Sequence, residues 1–218
     1  MLKKNLFCSW SGGKDSSLSL YHALKTSNVV CLVTAMMESG EVSRSHGLSH
    51  SVLRAQADAL NIPLLIFNTS WEEYEKNYLK ILGHLKNKHL LDGGIFGDID
   101  IEDHKKWCVN LCESNNMKAY RPLWQQERES ILSEFLELGF KAKIIAVNEK
   151  KLHRDFLGRD LNKELIEEFR EKNIDICGEN GEYHTIVYDG PIFETQLSLR
   201  QGDITLKSGY WLLEVHLN

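Results

Sequence analysis

The run Ser11-Gly12-Gly13-Lys14-Asp15-Ser16 limits what this chain can fold into more than any other feature. A short apolar stretch, Leu6-Phe7-Cys8-Ser9-Trp10, precedes it, and a pattern placing Leu18, Tyr21 and Leu24 on one helical face follows. A strand that turns on two glycines into a helix N-terminus is a cradle for phosphate. The glycines remove the Cβ atoms that hold backbone N–H groups away from an anion, and the helix dipole adds partial positive charge. Lys14 brings a full charge to the same place, and Ser11, Ser16 and Ser17 bring hydroxyls. Ser and Asp also suit an ordinary helix cap. Here six residues in a strand-to-helix context favour phosphate. The spacing Gly-x-x-x-x-Gly-Lys-Ser/Thr, which grips β- and γ-phosphates, is absent.

The first hundred residues alternate short apolar runs with amphipathic stretches. Strands are expected at 28–34, 62–68 and 94–99, with helices at 51–60 and 71–86. That rhythm predicts βαβ units and a Rossmann-like parallel sheet, with ligands at the strand carboxyl ends. Helices are then expected at 101–115, 127–138 and 163–172, and strands at 143–147, 185–188, 196–199 and 211–217. The change of rhythm divides the chain into a nucleotide-binding domain, 1–100, and a smaller C-terminal α+β acceptor region, 101–218. No Pro/Gly/Ser linker separates them, and no internal repeat is present.

A net charge of −5 leaves no basic surplus for general nucleic-acid binding. The longest apolar run, 29–37, is too short to span a bilayer, and a cleaved signal peptide would remove the glycine turn. A cytoplasmic protein is expected, and five cysteines without a regular framework suit a reducing compartment. Cys108 and Cys112, with His104 one turn before, could clip a metal, but buried apolar cysteines are the commoner outcome.

A second string, Gly178-Glu179-Asn180-Gly181-Glu182-Tyr183-His184-Thr185, packs carboxylates, an imidazole and a hydroxyl around two glycines. Alone it reads as good turn chemistry. Beside the loop at 11–16 it reads as the second wall of a site. The loop itself resembles that of the ATP pyrophosphatase superfamily. Together with Asp189-Gly190-Pro191-Ile192-Phe193, His46-Gly47, Gln56-Ala57, Ile62-Pro63-Leu64, Gly97-Asp98-Ile99, Arg121-Pro122-Leu123-Trp124, Leu138–Ala142 and Leu157-Gly158-Arg159, it resembles the diphthine–ammonia ligase family. Gly97-Asp98-Ile99 and His184 resemble bacterial-type members.

The resemblance implies an enzyme that uses ATP and magnesium, releases AMP and pyrophosphate, and amidates an adenylated carboxylate with ammonia. In that picture Ser11, Gly12, Gly13, Lys14, Asp15 and Ser16 hold the phosphates, and Met36, Met37 and His46 meet the nucleotide. Asp15 and Asp98 are the expected magnesium ligands, and Lys14, Asp15, Glu179, Glu182 and His184 carry the chemistry. No cysteine stands in a recognisable glutaminase context, so free ammonia is the expected donor. The family's acceptor is diphthine on elongation factor 2; a small corrinoid-type carboxylate or an RNA stays open, as does a regulatory nucleotide-binding domain without turnover. The expected partners are therefore ATP, ammonia and a carboxylate acceptor, and a homodimer is compatible with the composition.

Overall fold

The computed structural model describes residues 3–218. Five parallel strands, β1 (Asn5–Ser9), β2 (Asn28–Met36), β3 (Leu64–Asn68), β4 (Gly93–Ile95) and β5 (Lys118–Tyr120), form a sheet in the order β3-β2-β1-β4-β5. The helices between them are α1 (Lys14–Leu24), α2 (His50–Ala59), α3 (Tyr74–His89) and α4 (Glu102–Glu113). The chain winds outward through β2 and β3, then returns to lay β4 on the other side of β1. The loops leaving β1 and β4 therefore diverge at a topological switch point, where open α/β sheets bind ligands.

Alternation along the strands gives each sheet face its own core. Leu6, Cys8 and Trp10 face one side with Leu32 and Met36, while Phe7 faces the other with Cys31, Val33 and Ala35. The first core runs on without a break into the C-terminal region. There β6 (Lys141–Asn148), β7 (Tyr183–Asp189), β8 (Leu199–Lys207) and β9 (Tyr210–Leu217) form an antiparallel sheet in the order β7-β6-β9-β8. Two helices complete it, α5 (Arg128–Glu137) and α6 (Lys163–Glu171). Asn162 caps α6 by accepting from Leu165 N at 2.8 Å, and Leu165, Ile166 and Phe169 bury its apolar stripe.

The Rossmann-like α/β class is as expected, and several details differ. The parallel sheet draws α4 and β5 from beyond residue 100, so its last strand ends at Tyr120. β4 is shorter than the apolar run predicts, because the chain leaves the sheet after Ile95 and passes against the start of α1. A Cβ at Gly97 would lie 2.9 Å from Ser16 N, so only glycine fits that crossing. The segment 196–199 enters the sheet only at Leu199, where β8 begins.

Candidate functional site

Helix α1 starts at Lys14 with Gly13 at its N-cap and no capping side chain of its own. The missing cap comes from the other sheet: Lys14 N donates to Thr185 Oγ1 of β7 at 3.0 Å. A second bond, Val187 N to Gly12 O at 2.9 Å, runs beside it. Gln56 of α2, wholly buried, then closes the junction. Its Nε2 donates to Gly12 O at 2.9 Å and Val187 O at 2.7 Å, and its Oε1 accepts from Trp10 Nε1 at 3.1 Å. The glycine loop is thus shaped by the C-terminal sheet as much as by its own helix. Gly12 sits at φ +81° with Gln56 Oε1 2.5 Å from where a Cβ would stand, so any side chain there breaks the junction.

A cleft of about 460 Å³ opens at this junction. Ser11, Lys14, Asp15 and Ser16 line one wall, Gly97 and Asp98 the adjoining side, and Gly178, Glu179, Tyr183, His184 and Thr185 the facing wall. His46 and Ser45 enter from the loop after β2. The two strings singled out in the sequence therefore meet across one cavity. Ser11 and Ser16 hydroxyls lie 3.0 Å apart at its floor.

Charge is concentrated here. Lys14 is only 5 % exposed, and its Nζ lies 2.8 Å from Asp15 Oδ2. Burial works against its ammonium, but the nearby carboxylates, Asp15 foremost, outweigh it and raise the pKa above the ordinary lysine value. Burial likewise raises the Asp15 carboxyl against the pull of Lys14, and Asp15 Oδ1 is buried without a partner. Glu179 is pushed up to about 7, by burial first and then by the Asp15 charge. The imidazoles go the other way. His184 falls to about 4 and His46 well below its ordinary value, burial being the main cause and Lys14 adding to it in both. Their rings meet edge to face, centroids 4.7 Å apart, so two neutral imidazoles flank the phosphate loop.

Other expected residues lie elsewhere. Glu182 is not among the residues lining the cleft: it is 4 % exposed, its Oε1 pairs with Lys151 at 3.0 Å, and its Oε2 is buried without a partner. Met36 is fully buried in the core, with its backbone carbonyl taken by Thr69 N. Neither Met36 nor Met37 lines the cleft. The β2 edge instead contributes Val33, Thr34 and Ala35 to a side cavity of about 180 Å³ that shares Ser9, Ser11 and Ser45 with the main one. Trp71 is 70 % exposed at the rim of that cavity, with the Arg44 guanidinium 4.6 Å above its ring. Trp107 lines the main cleft, whereas Trp124 packs outside it under Lys105 and Arg121.

All five cysteines are buried and unbridged. Burial raises the Cys177 thiol to about 12, and Cys108 Sγ donates to Asp98 Oδ2 at 3.1 Å, so both sulfurs carry their protons here. Among the described residues, no group of three or more His, Cys, Asp and Glu side chains could hold a metal alone, and no helix is long and apolar enough to cross a membrane.

Sequence reasoning overlooked Gln56 and Thr185 as organisers of the site, although both lie in strings that carry the family resemblance. A buried polar residue on a helix gives no periodic signal, and a cap supplied from 171 residues away gives no local one.

Comparison with known proteins agrees with this geometry. The diphthamide synthase N-terminal domain matches residues 5–119, and the diphthamide synthase C-terminal domain matches 127–216. Human diphthine–ammonia ligase is 25% identical over 225 residues, covering 91% of this chain and 84% of that protein. The Danio rerio protein of the same name is 26% identical, covering 91% and 87%. The Schizosaccharomyces pombe protein is 27% identical over 89% of this chain, which spans only 36% of that relative's length. A solved structure, the predicted subunit of a tRNA methyltransferase from Methanocaldococcus jannaschii DSM, aligns at 16% identity with a TM-score of 0.49, covering 86% of this chain and 98% of that one. With both family domains matched in order and their junction forming the cleft, this chain belongs to the diphthamide synthase family.

Proposed function

We propose that the chain is an ATP-dependent amide ligase that adenylates a carboxylate and amidates it with ammonia. One observation carries this reading: the loop of Lys14 and the string of Glu179 share one cavity, fastened together by Lys14 N on Thr185 Oγ1. A phosphate-binding loop alone would serve a sensor as well. A cleft that adds a carboxylate near neutrality and two neutral imidazoles serves a reaction.

The side cavity at Val33, Thr34 and Ala35 is the place for the nucleoside, which leaves the phosphates over Ser11, Lys14 and Ser16. The substrate carboxylate attacks the α-phosphorus, the α,β-bridging bond breaks, and pyrophosphate departs. Lys14 holds its charge in a water-poor site, where it stabilises the departing oxygens best. Ammonia then attacks the acyl carbon, the C–O bond to AMP breaks, and one proton leaves the new nitrogen. Glu179 is suited to take that proton, because a carboxyl that titrates near neutral pH is an effective base there. His46 and His184, kept neutral, can donate a hydrogen bond to phosphate without adding charge. Magnesium fits the unpartnered Asp15 Oδ1 and the Asp98 carboxylate, since this ion needs only one or two carboxylates beside phosphate oxygens and water. Its chemistry there would be to neutralise charge on the phosphates.

The relatives' name makes diphthine the first acceptor to try. The test is incubation with ATP, ammonium and diphthine-bearing elongation factor 2, with mass spectrometry of the acceptor. The reading expects the mass decrease of replacing OH by NH₂, dependent on both ATP and ammonium. Intact ATP with every carboxylate offered, together with an ATP-induced change of oligomeric state, would establish a sensor instead.

A further inference from the structure

Glu179 rides on the long connection between α6 and β7, which has no secondary structure of its own. Its backbone is held by one side chain. Asp175, 6 % exposed, accepts from Cys177 N at 3.0 Å and from Glu179 N at 3.1 Å, with Asn180 Nδ2 at 3.4 Å. A carboxylate buried this far needs a countercharge. Arg128, the first residue of α5, supplies it as an ion pair without a hydrogen bond, with Nε 3.3 Å from Asp175 Oδ1. The same guanidinium reaches the other way. Its Nη2 lies 2.9 Å from Asp100 Oδ2 and donates to Oδ1 at 3.2 Å. Asp100 belongs to the loop after β4, whose Gly97 and Asp98 line the adjoining side of the cleft.

We propose that Arg128 is a positioning residue that ties these two walls together, setting the Glu179 carboxylate against the Gly97–Asp98 side through Asp175 and Asp100. The inference rests on the reading of this cleft as the ligase site for its kinetic consequence, but not for its structural one. Arginine suits the task because its planar fork can meet two carboxylates at once, whereas a lysine ammonium would favour one. The phosphate loop stands apart from this tie, being fastened by Gln56 and Thr185. Loss of the tie should therefore loosen the Glu179 wall most and disturb ATP binding less, through the Gly97–Asp98 side alone.

The experiment pairs amide hydrogen exchange with steady-state kinetics on the full chain. Asp100→Asn is the informative variant, since Asp100 is exposed and its hydrogen bond and ion pair go to Arg128 and not to the 175–180 loop. The proposal expects faster exchange at 177–180 as well as at 98–100, and a larger rise in both segments for Arg128→Ala, with Arg128→Lys between it and wild type. Where turnover with ammonium and diphthine-bearing elongation factor 2 is measured, KM for ammonium should rise about tenfold in Arg128→Ala while KM for ATP stays within about twofold. Unchanged exchange at 177–180 in Asp100→Asn overturns the proposal, as does a change of ATP and ammonium KM in parallel. A wild-type protein without turnover refutes the ligase reading and leaves the exchange result to decide the tie on its own.

Discussion

The phosphate wall of the cleft is a short turn between β1 and α1, whereas the facing wall is a long connection between α6 and β7. On the first, nearly every hydrogen bond involves main chain: Gly12 O accepts from Val187 N and Gln56 Nε2, and Lys14 N donates to Thr185 Oγ1. On the second, side chains hold the chain: Asp175 accepts from Cys177 N and Glu179 N beside the Arg128 guanidinium, Lys151 Nζ donates to Asn180 O, and Tyr210 OH donates to Gly181 O. A wall made of backbone can vary little without losing its geometry. One made of side chains can be retuned residue by residue. Triphosphate is the same ligand for any enzyme that uses ATP, while the acceptor is what distinguishes one from another, and on the proposed reading of the cleft the two modes of construction follow that division.

The comparison is easiest to break at Lys14. Lys14→Ala removes the one cation of the phosphate wall and strands Asp15 in a buried position. Turnover should fall by about 10²–10³, the loss expected for one strong preorganised donor. Steady-state pyrophosphate release measures it. Glu179→Gln comes next, at about 10² if the carboxylate acts as base. The variant should also lose the acid-side fall of the pH–rate profile near neutrality, where wild-type Glu179 takes up its proton at about 7. A profile unchanged in shape would remove Glu179 from the proton path.

Gln56→Leu sharpens the contrast from the structural side. It leaves Val187 O and Trp10 Nε1 buried without their partner, at a cost of about 2–4 kcal/mol. Chemical denaturation should show that loss, along with a raised KM for ATP and little change in KM for ammonium. Thr185→Val tests the remote cap more gently, with a loss of about 1 kcal/mol that Thr185→Ser restores.

The smallest effects are pH-linked, and the two residues of the acceptor wall should pull in opposite directions. Unfolded His184 titrates near 6.5 and folded His184 at about 4, so the unfolded chain binds more protons between those values. Its contribution to stability is full above about 6.5 and disappears as pH falls toward 4. Glu179 does the reverse, since its folded carboxyl keeps a proton up to about 7 while the unfolded one releases it near 4.5. Stability from this group falls as pH rises through that window. His184→Asn should flatten the acid loss, and Glu179→Gln should remove the loss on the rising side. Denaturation midpoints at several pH values would separate them.

How much of this could be read in the sequence follows the same physical lines. β1, β2 and β3 were legible because buried parallel strands are continuous apolar runs. β5 was not, since three residues, Lys118–Tyr120, give no period. β8 was hidden because an edge strand exposed along most of its length has no burial to impose alternation. The glycine loop declared itself through local chemistry. The place of Glu182 outside the cleft lining was not legible, because it depends on Lys151, which lies 31 positions upstream. Met36 is hidden from the cavities for a related reason: its side chain belongs to the sheet face that points into the core, and the side cavity is lined from β2 by Val33–Ala35.

The measurement closest to the central claim follows the fate of ATP when both walls have work to do. With ammonium and a carboxylate acceptor present, the account predicts AMP and pyrophosphate in equal amounts, one pair for each amide formed, and loss of both products in Lys14→Ala. ADP and inorganic phosphate in step with the amide would contradict it, because the phosphate wall would then be directing cleavage at the wrong bond.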